Sequence, residues 1–106
     1  MSRKTYFLKS AETDFIEIAW SIAERSGSAE IGETFAAQLR VRCERFASLG
    51  GILGSARPEL GQGTRSTSHK GYIIFFRYTD DAVEIINILH ASRDVIAYFT
   101  DDTGGD

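Results

Sequence analysis

Apolar residues along this chain switch between two spacings, and the switches mark its elements. At residues 4–8, KTYFL sets aromatic and aliphatic residues together with no breaker, which predicts a short strand. From Ala11 the spacing lengthens. Ala11, Phe15, Ile18, Ala19 and Ile22 recur at helical intervals and define one face of a helix. Ser10 stands where an N-cap belongs, and Glu12, Asp14 and Glu17 suit first turns, where the helix dipole favours negative charge. Ile16 and Trp20 widen the apolar face. Gly27 stops this helix and Ser28 caps the next at once, so the two are expected to be antiparallel neighbours. The second helix is predicted over residues 29–49, with Ile31, Phe35, Leu39, Cys43 and Phe46 as its stripe and Gly50-Gly51 as its end.

Residues 50–71 hold Pro58 and most of the glycines, which predicts a connecting segment with one short strand near residues 64–67. YIIFFRY (72–78) and AVEIINILH (82–90) then read as two strong strands joined by a tight turn at 79–81. Both are apolar on both sides, which places them centrally in a sheet with material on each face. SRDVIAYF (92–99) predicts a short last element that lays Val95, Tyr98 and Phe99 on the sheet, and the acidic, glycine-rich residues 100–106 are expected to fray. The sum is one α+β domain over residues 1–106: an N-terminal strand, an antiparallel helical hairpin on an antiparallel sheet of three to four strands, and a short C-terminal element.

Composition narrows the functions available. At 106 residues, 42% hydrophobic and 25% charged, the chain suits a single packed core and argues against disorder. No apolar run is long enough to span a membrane, and MSRKTYFLKS lacks the apolar core of a secretion signal. The single cysteine, Cys43, excludes an internal disulfide and a cysteine-rich metal site, and its place on a helical stripe marks a small buried hydrophobe. A reducing cytoplasm is therefore the expected compartment. The two histidines lie far apart without ligand spacing, so neither a metal nor a cofactor is expected. A net charge of -3 weighs against broad electrostatic binding to nucleic acid. Charge is uneven, however: Arg65, His69, Lys70 and Arg77 gather around the first strong strand, as a solvated face or as a basic patch for an acidic partner or RNA phosphates. The aromatics Tyr72, Phe75, Phe76 and Tyr78 suit base stacking, but alternating strand aromatics are more often core.

Two short stretches carry the remaining candidate chemistry. In RPELGQGTR (57–65), GQG precedes no clear helix and lacks the lysine of a P-loop, so a loop held by Arg57 and Glu59 is the better reading. In ILHASRD (88–94), His90 has the titration range of a general acid–base. No serine nucleophile or second histidine is fixed beside it, and a strand-end histidine bonded to nearby backbone or to Asp94 is favoured. Asp94 reads as structural, and Arg93 is open between anion binding and an ion pair.

YFL, AETDFIEIAWSIAE, AEIGETFAAQLRVRCERFASLGG, RPELGQGTRS, GYIIFFRY and VEIINILHASRD together resemble the RelE/ParE toxin superfamily of bacterial toxin–antitoxin modules, over about residues 4–99. The strand ending in Leu-His with Arg-Asp three residues on, and RPELGxGxR before a tyrosine-rich strand, are similar to the ParE (plasmid stabilisation) branch in particular. The resemblance implies a helical hairpin on an antiparallel sheet and a toxin neutralised by a ParD-like antitoxin in a hetero-oligomer. It also implies a poison of DNA gyrase that is not itself an enzyme. The RelE-like alternative is a ribosome-dependent mRNA endoribonuclease, for which Arg65, Arg77, His90, Arg93 and Tyr98 would serve, or a His90–Glu59 pair. The lysines expected of that branch have no match between residues 50 and 64, and the acidic pI suits a ribosome binder poorly. A third possibility is a member that has lost toxicity and persists as a partner protein. On this resemblance Arg65, His90 and Arg93 form the expected toxic surface, with Arg57, Glu59 and Asp94 supporting it. Ile16 and Trp20 are the expected antitoxin contact, through an antitoxin segment that folds on binding.

Overall fold

A computed structural model describes residues 3–92. Strand β1 (Lys4–Phe7) leads almost directly into α1 (Lys9–Ser26), and α2 (Ala29–Ser48) returns beside it. The short β2 (Ser55–Ala56), a single 3-10 turn (Pro58–Leu60), β3 (Arg65–His69), β4 (Tyr72–Tyr78) and β5 (Ala82–His90) follow. The sheet has five strands in the order β1-β5-β4-β3-β2. It is larger than the three to four strands expected and mixed rather than wholly antiparallel, because β1 pairs parallel with β5. The connection between these two parallel strands is long, running through the helical hairpin and then β2, β3 and β4. The predicted C-terminal element, with Arg93, Asp94 and Tyr98, and the tail at 100–106 lie outside the described residues.

Sequence explains the helices with two adjustments. Ser28 caps α2 as expected, its hydroxyl accepting the Ile31 N–H at 3.2 Å. Leu8, not Ser10, is the cap of α1. Ser10 lies inside the first turn, and its hydroxyl donates to the Ile86 carbonyl at 2.5 Å instead. The stripe of α2 buries Leu39, Cys43 and Phe46, while Ile31 stays exposed at its N-terminal end. The helices meet at Gly32: a Cβ there would lie 2.2 Å from the Ala19 carbonyl oxygen, so only glycine allows this approach. Glu12 and Arg40 pair across the hairpin, with the Arg40 guanidinium over the rings of Phe7 and Phe15.

The core lies between the hairpin and one face of β4 and β5. Phe46 packs edge-on against Phe76, and Phe35 lies tilted against Tyr72, so α2 lies over β4. An irregularity between Phe75 and Phe76 shifts the β4–β5 register, so Ile74 faces Ile88 but Phe76 faces Ile85. That one extra residue lets Val83, Ile85 and Ile88 all join the hairpin core despite their odd spacing.

β1 covers only the first four residues of β5, and α1 takes over the rest of that edge. Ser10 bonds Ile86, and Asp14, only 6% exposed, accepts the Ile88 N–H and the Asn87 side-chain amide, each at 2.8 Å. An edge that would otherwise present bare peptide groups is thus satisfied by helix side chains.

Candidate functional site

RPELGQGTR forms the loop between β2 and β3. It is closed by backbone bonds from Arg57 N–H to Thr64 carbonyl at 2.7 Å and from Thr64 N–H to Gly61 carbonyl at 3.1 Å. Arg57 Nε donates to Glu59 at 2.7 Å, and Arg57 Nη1 reaches the Ser66 hydroxyl at 3.2 Å. The hydrogen bond from Arg57 holds the Glu59 carboxyl below its ordinary value. Both side chains therefore brace the loop, and Glu59 is not positioned beside His90.

Arg65 and Arg77 do not share a face. Arg65 is opposite Phe76, which points into the helical core, whereas Arg77 is opposite Glu84 on the other side of the sheet. Arg77 is bound to Glu84 at 2.6 Å. Arg65 donates through Nε to the Leu53 carbonyl and through Nη2 to the Gly54 carbonyl, both at 2.8 Å, so it also fastens the segment that leaves α2. Arg65 and His90 do lie on the same face, but at opposite ends: their partners on β4 are Phe76 and Tyr72, roughly 13 Å apart along the strand.

His90 ends β5 with its ring edge-on to Tyr72. The Ser92 N–H donates to its Nδ1 at 3.1 Å, and the Ser92 hydroxyl is 2.7 Å from the same nitrogen. Nδ1 is therefore the acceptor, and the neutral ring keeps its proton on Nε2. His90 opens onto a cleft of about 400 Å³ between α1 and the end of β5, with Glu17, Ser21, Arg25, Tyr72 and Ser92 among its lining. Among the described residues, no group of three or more His, Cys, Asp or Glu side chains is placed to hold a metal ion.

The outer face of the hairpin has a different character. Trp20 is 68% exposed and Ile16 62%, so both stand outside the core. Between the helices run two shallow grooves of about 230 and 250 Å³, floored by Ala19, Ala23, Ala36 and Ala37. Trp20, Ile16, Glu33 and Arg40 line them.

The family model of the ParE toxin of the type II toxin–antitoxin system parDE matches residues 6–95. The chain belongs to the ParE toxin family. A solved chromosomal ParDE toxin–antitoxin system from P. aeruginosa shares its fold, with a TM-score of 0.72 at 15% sequence identity, covering 86% of this chain and 98% of that one. No curated protein matches the chain. Among the described residues, no helix is long and apolar enough to cross a membrane.

In this ParE toxin the sequence did not single out the cleft beside His90 or the neighbours of His69. Glu17, Ser21 and Arg25 recur every four residues and so share one helix face, which was a usable signal. Arg42, which lies off the apolar stripe of α2, stands close enough to His69 to perturb it. Tyr72, Phe75 and Phe76 are buried, in keeping with the core reading of strand aromatics over base stacking.

Proposed function

We propose that this ParE toxin acts by binding DNA gyrase and blocking replication, and that a ParD-like antitoxin neutralises it. The observation that carries the choice of target is the dispersal, among the described residues, of those a nuclease would have to converge. Arg65 and Arg77 face opposite sides of the sheet, each engaged with a protein acceptor, and His90 is at the far end from Arg65. Stabilising charge on one scissile phosphate needs several donors within about 3 Å of it. A toxin that works by occupying a surface has no such requirement.

The antitoxin reading rests on the outer grooves of the hairpin. Ile16 and Trp20 lie one turn apart on α1 above an alanine floor, with Glu33 and Arg40 at the margin. An amphipathic helix with small or aliphatic anchors fits such a surface, its charged flank meeting Glu33 and Arg40. Of the expected toxic surface, Arg65 and His90 then stay on other parts of the molecule.

Expression without antitoxin tests this reading. Gyrase-dependent chromosome breaks with intact transcripts support it. Cuts in ribosome-bound mRNA that disappear in Arg65→Ala would transfer the chain to the nuclease reading. Growth without either lesion would indicate a member that has lost toxicity.

A further inference from the structure

One flank of this molecule gathers basic residues from α2, β3 and the β3–β4 turn. On α2, Gly32, Ala36 and Arg40 turn toward α1. The helical period therefore sends Ile31, Gln38, Arg42 and Arg45 to the opposite side, where Arg42 comes near His69 of β3. On β3, Thr67 and His69 are opposite Ile74 and Tyr72 and share the helix-side face. Neither row contains a carboxylate. Partial burial and the positive charges of Arg42 and then Lys70 hold His69 below its ordinary pKa, which brings helix, strand and turn together at one spot.

Lys70 adds a second observation. It shares a two-residue turn with Gly71, and both have positive φ, 51° and 86°. That is the turn type in which asparagine, aspartate or glycine ordinarily occupies the first position. A lysine there accepts a left-handed backbone that its side chain disfavours. Such outliers gather at binding sites. This backbone holds a cation at the tip of the β3–β4 hairpin, next to His69 and within reach of Arg42.

We infer that the flank formed by Arg42, Arg45, His69 and Lys70 is a binding surface for the phosphodiester backbone of a nucleic acid. The composition separates this from a protein interface. Phe35 and Tyr72 are turned into the core beneath the flank, so neither serves as the kind of aromatic anchor that dominates protein interfaces. Arginine, lysine, glutamine and threonine are instead the donors that meet phosphate oxygens. The groups facing His69 are Arg42 from α2, Lys70 from its own turn and Tyr72 from β4. Phosphates placed between the cations relieve their repulsion on His69, so binding draws a proton onto the ring and strengthens as pH falls.

The test uses the purified toxin with a labelled 20-base-pair DNA duplex and no gyrase, so its failure leaves the proposed target untouched. The expected affinity is that of non-specific binding, on the order of 10 µM, with a slope of log K against log salt of about -3 from three cations. Arg42→Gln with Lys70→Asn brings the slope to about -1, and Tm does not fall because asparagine suits the turn. His69→Gln removes the pH dependence but leaves affinity at pH 8 near wild type. Lys9→Gln, an exposed lysine at the start of α1, is the charge control. The same result with a single-stranded RNA of equal length identifies the backbone rather than the duplex as the ligand. The inference is overturned if Lys9→Gln weakens binding as much as the double variant does, or if a polyglutamate peptide displaces the duplex at equal charge concentration.

Discussion

The carboxylate of Asp14 accepts the backbone N–H of Ile88 at 2.8 Å, joining the second turn of α1 to the middle of β5. Through this bond a helix stands in for the strand neighbour that β1 is too short to provide. Replacing Asp14 with alanine leaves the Ile88 N–H and the Asn87 amide without this acceptor in a buried site. The expected loss is about 3 kcal/mol, read as a lower urea midpoint with an unchanged m-value. An effect near zero would mean that solvent already reaches this edge.

Arg65 and Arg77 are expected to differ in what they do for stability. Arg65→Gln removes two bonds that hold the segment after α2, at a cost of about 2 kcal/mol. Arg77→Gln removes a part-exposed ion pair with Glu84, worth about 0.5 kcal/mol. Thermal melts of the two variants check this, and a lost phenotype in Arg65→Gln has to be judged against its melt.

Much of this fold was legible because local signals agreed with each other. Ser28, the four-residue spacing of α2 and the apolar runs of β4 and β5 all point to elements that the structure contains. What the sequence hid depends on distant partners. The parallel pairing of β1 with β5 is decided across the whole hairpin, and the register irregularity at Phe75 and Phe76 leaves no local pattern. Asp14 looked like first-turn acid favoured by the helix dipole, and its link to Ile88 is 74 residues long. Arg65 and Arg77 read as one patch because they sit on adjoining strands of one hairpin, yet their register sends them to opposite faces. Ile16 and Trp20 gave the opposite case: their position at the edge of an apolar face was visible, and the structure leaves them exposed.

Trp20 and Ile16 are predicted to matter for the antitoxin and not for the fold. Trp20→Ala changes stability by less than about 0.5 kcal/mol, as expected of an exposed side chain. It weakens antitoxin binding by about 30-fold or more if Trp20 is a central anchor. Calorimetric titration with a ParD-like antitoxin reads the second effect, and unchanged affinity would move the antitoxin off this groove.

Cys43 is fully buried, and burial pushes its thiol from 9.0 up to about 12. A raised folded value means that this group adds stability below the unfolded value and loses it as pH climbs from about 9 toward 12. At pH 8 the thiol stays neutral, so iodoacetamide is expected to label it only as fast as the protein unfolds. Rapid labelling of the folded toxin would show that α2 opens without global unfolding.

The target is tested most directly by purified gyrase supercoiling relaxed plasmid in the presence of saturating toxin. The account predicts that supercoiling stops and cleaved plasmid accumulates, and that a ParD-like antitoxin reverses both. Supercoiling that continues unhindered, with the same toxin preparation cutting mRNA on ribosomes, would contradict it.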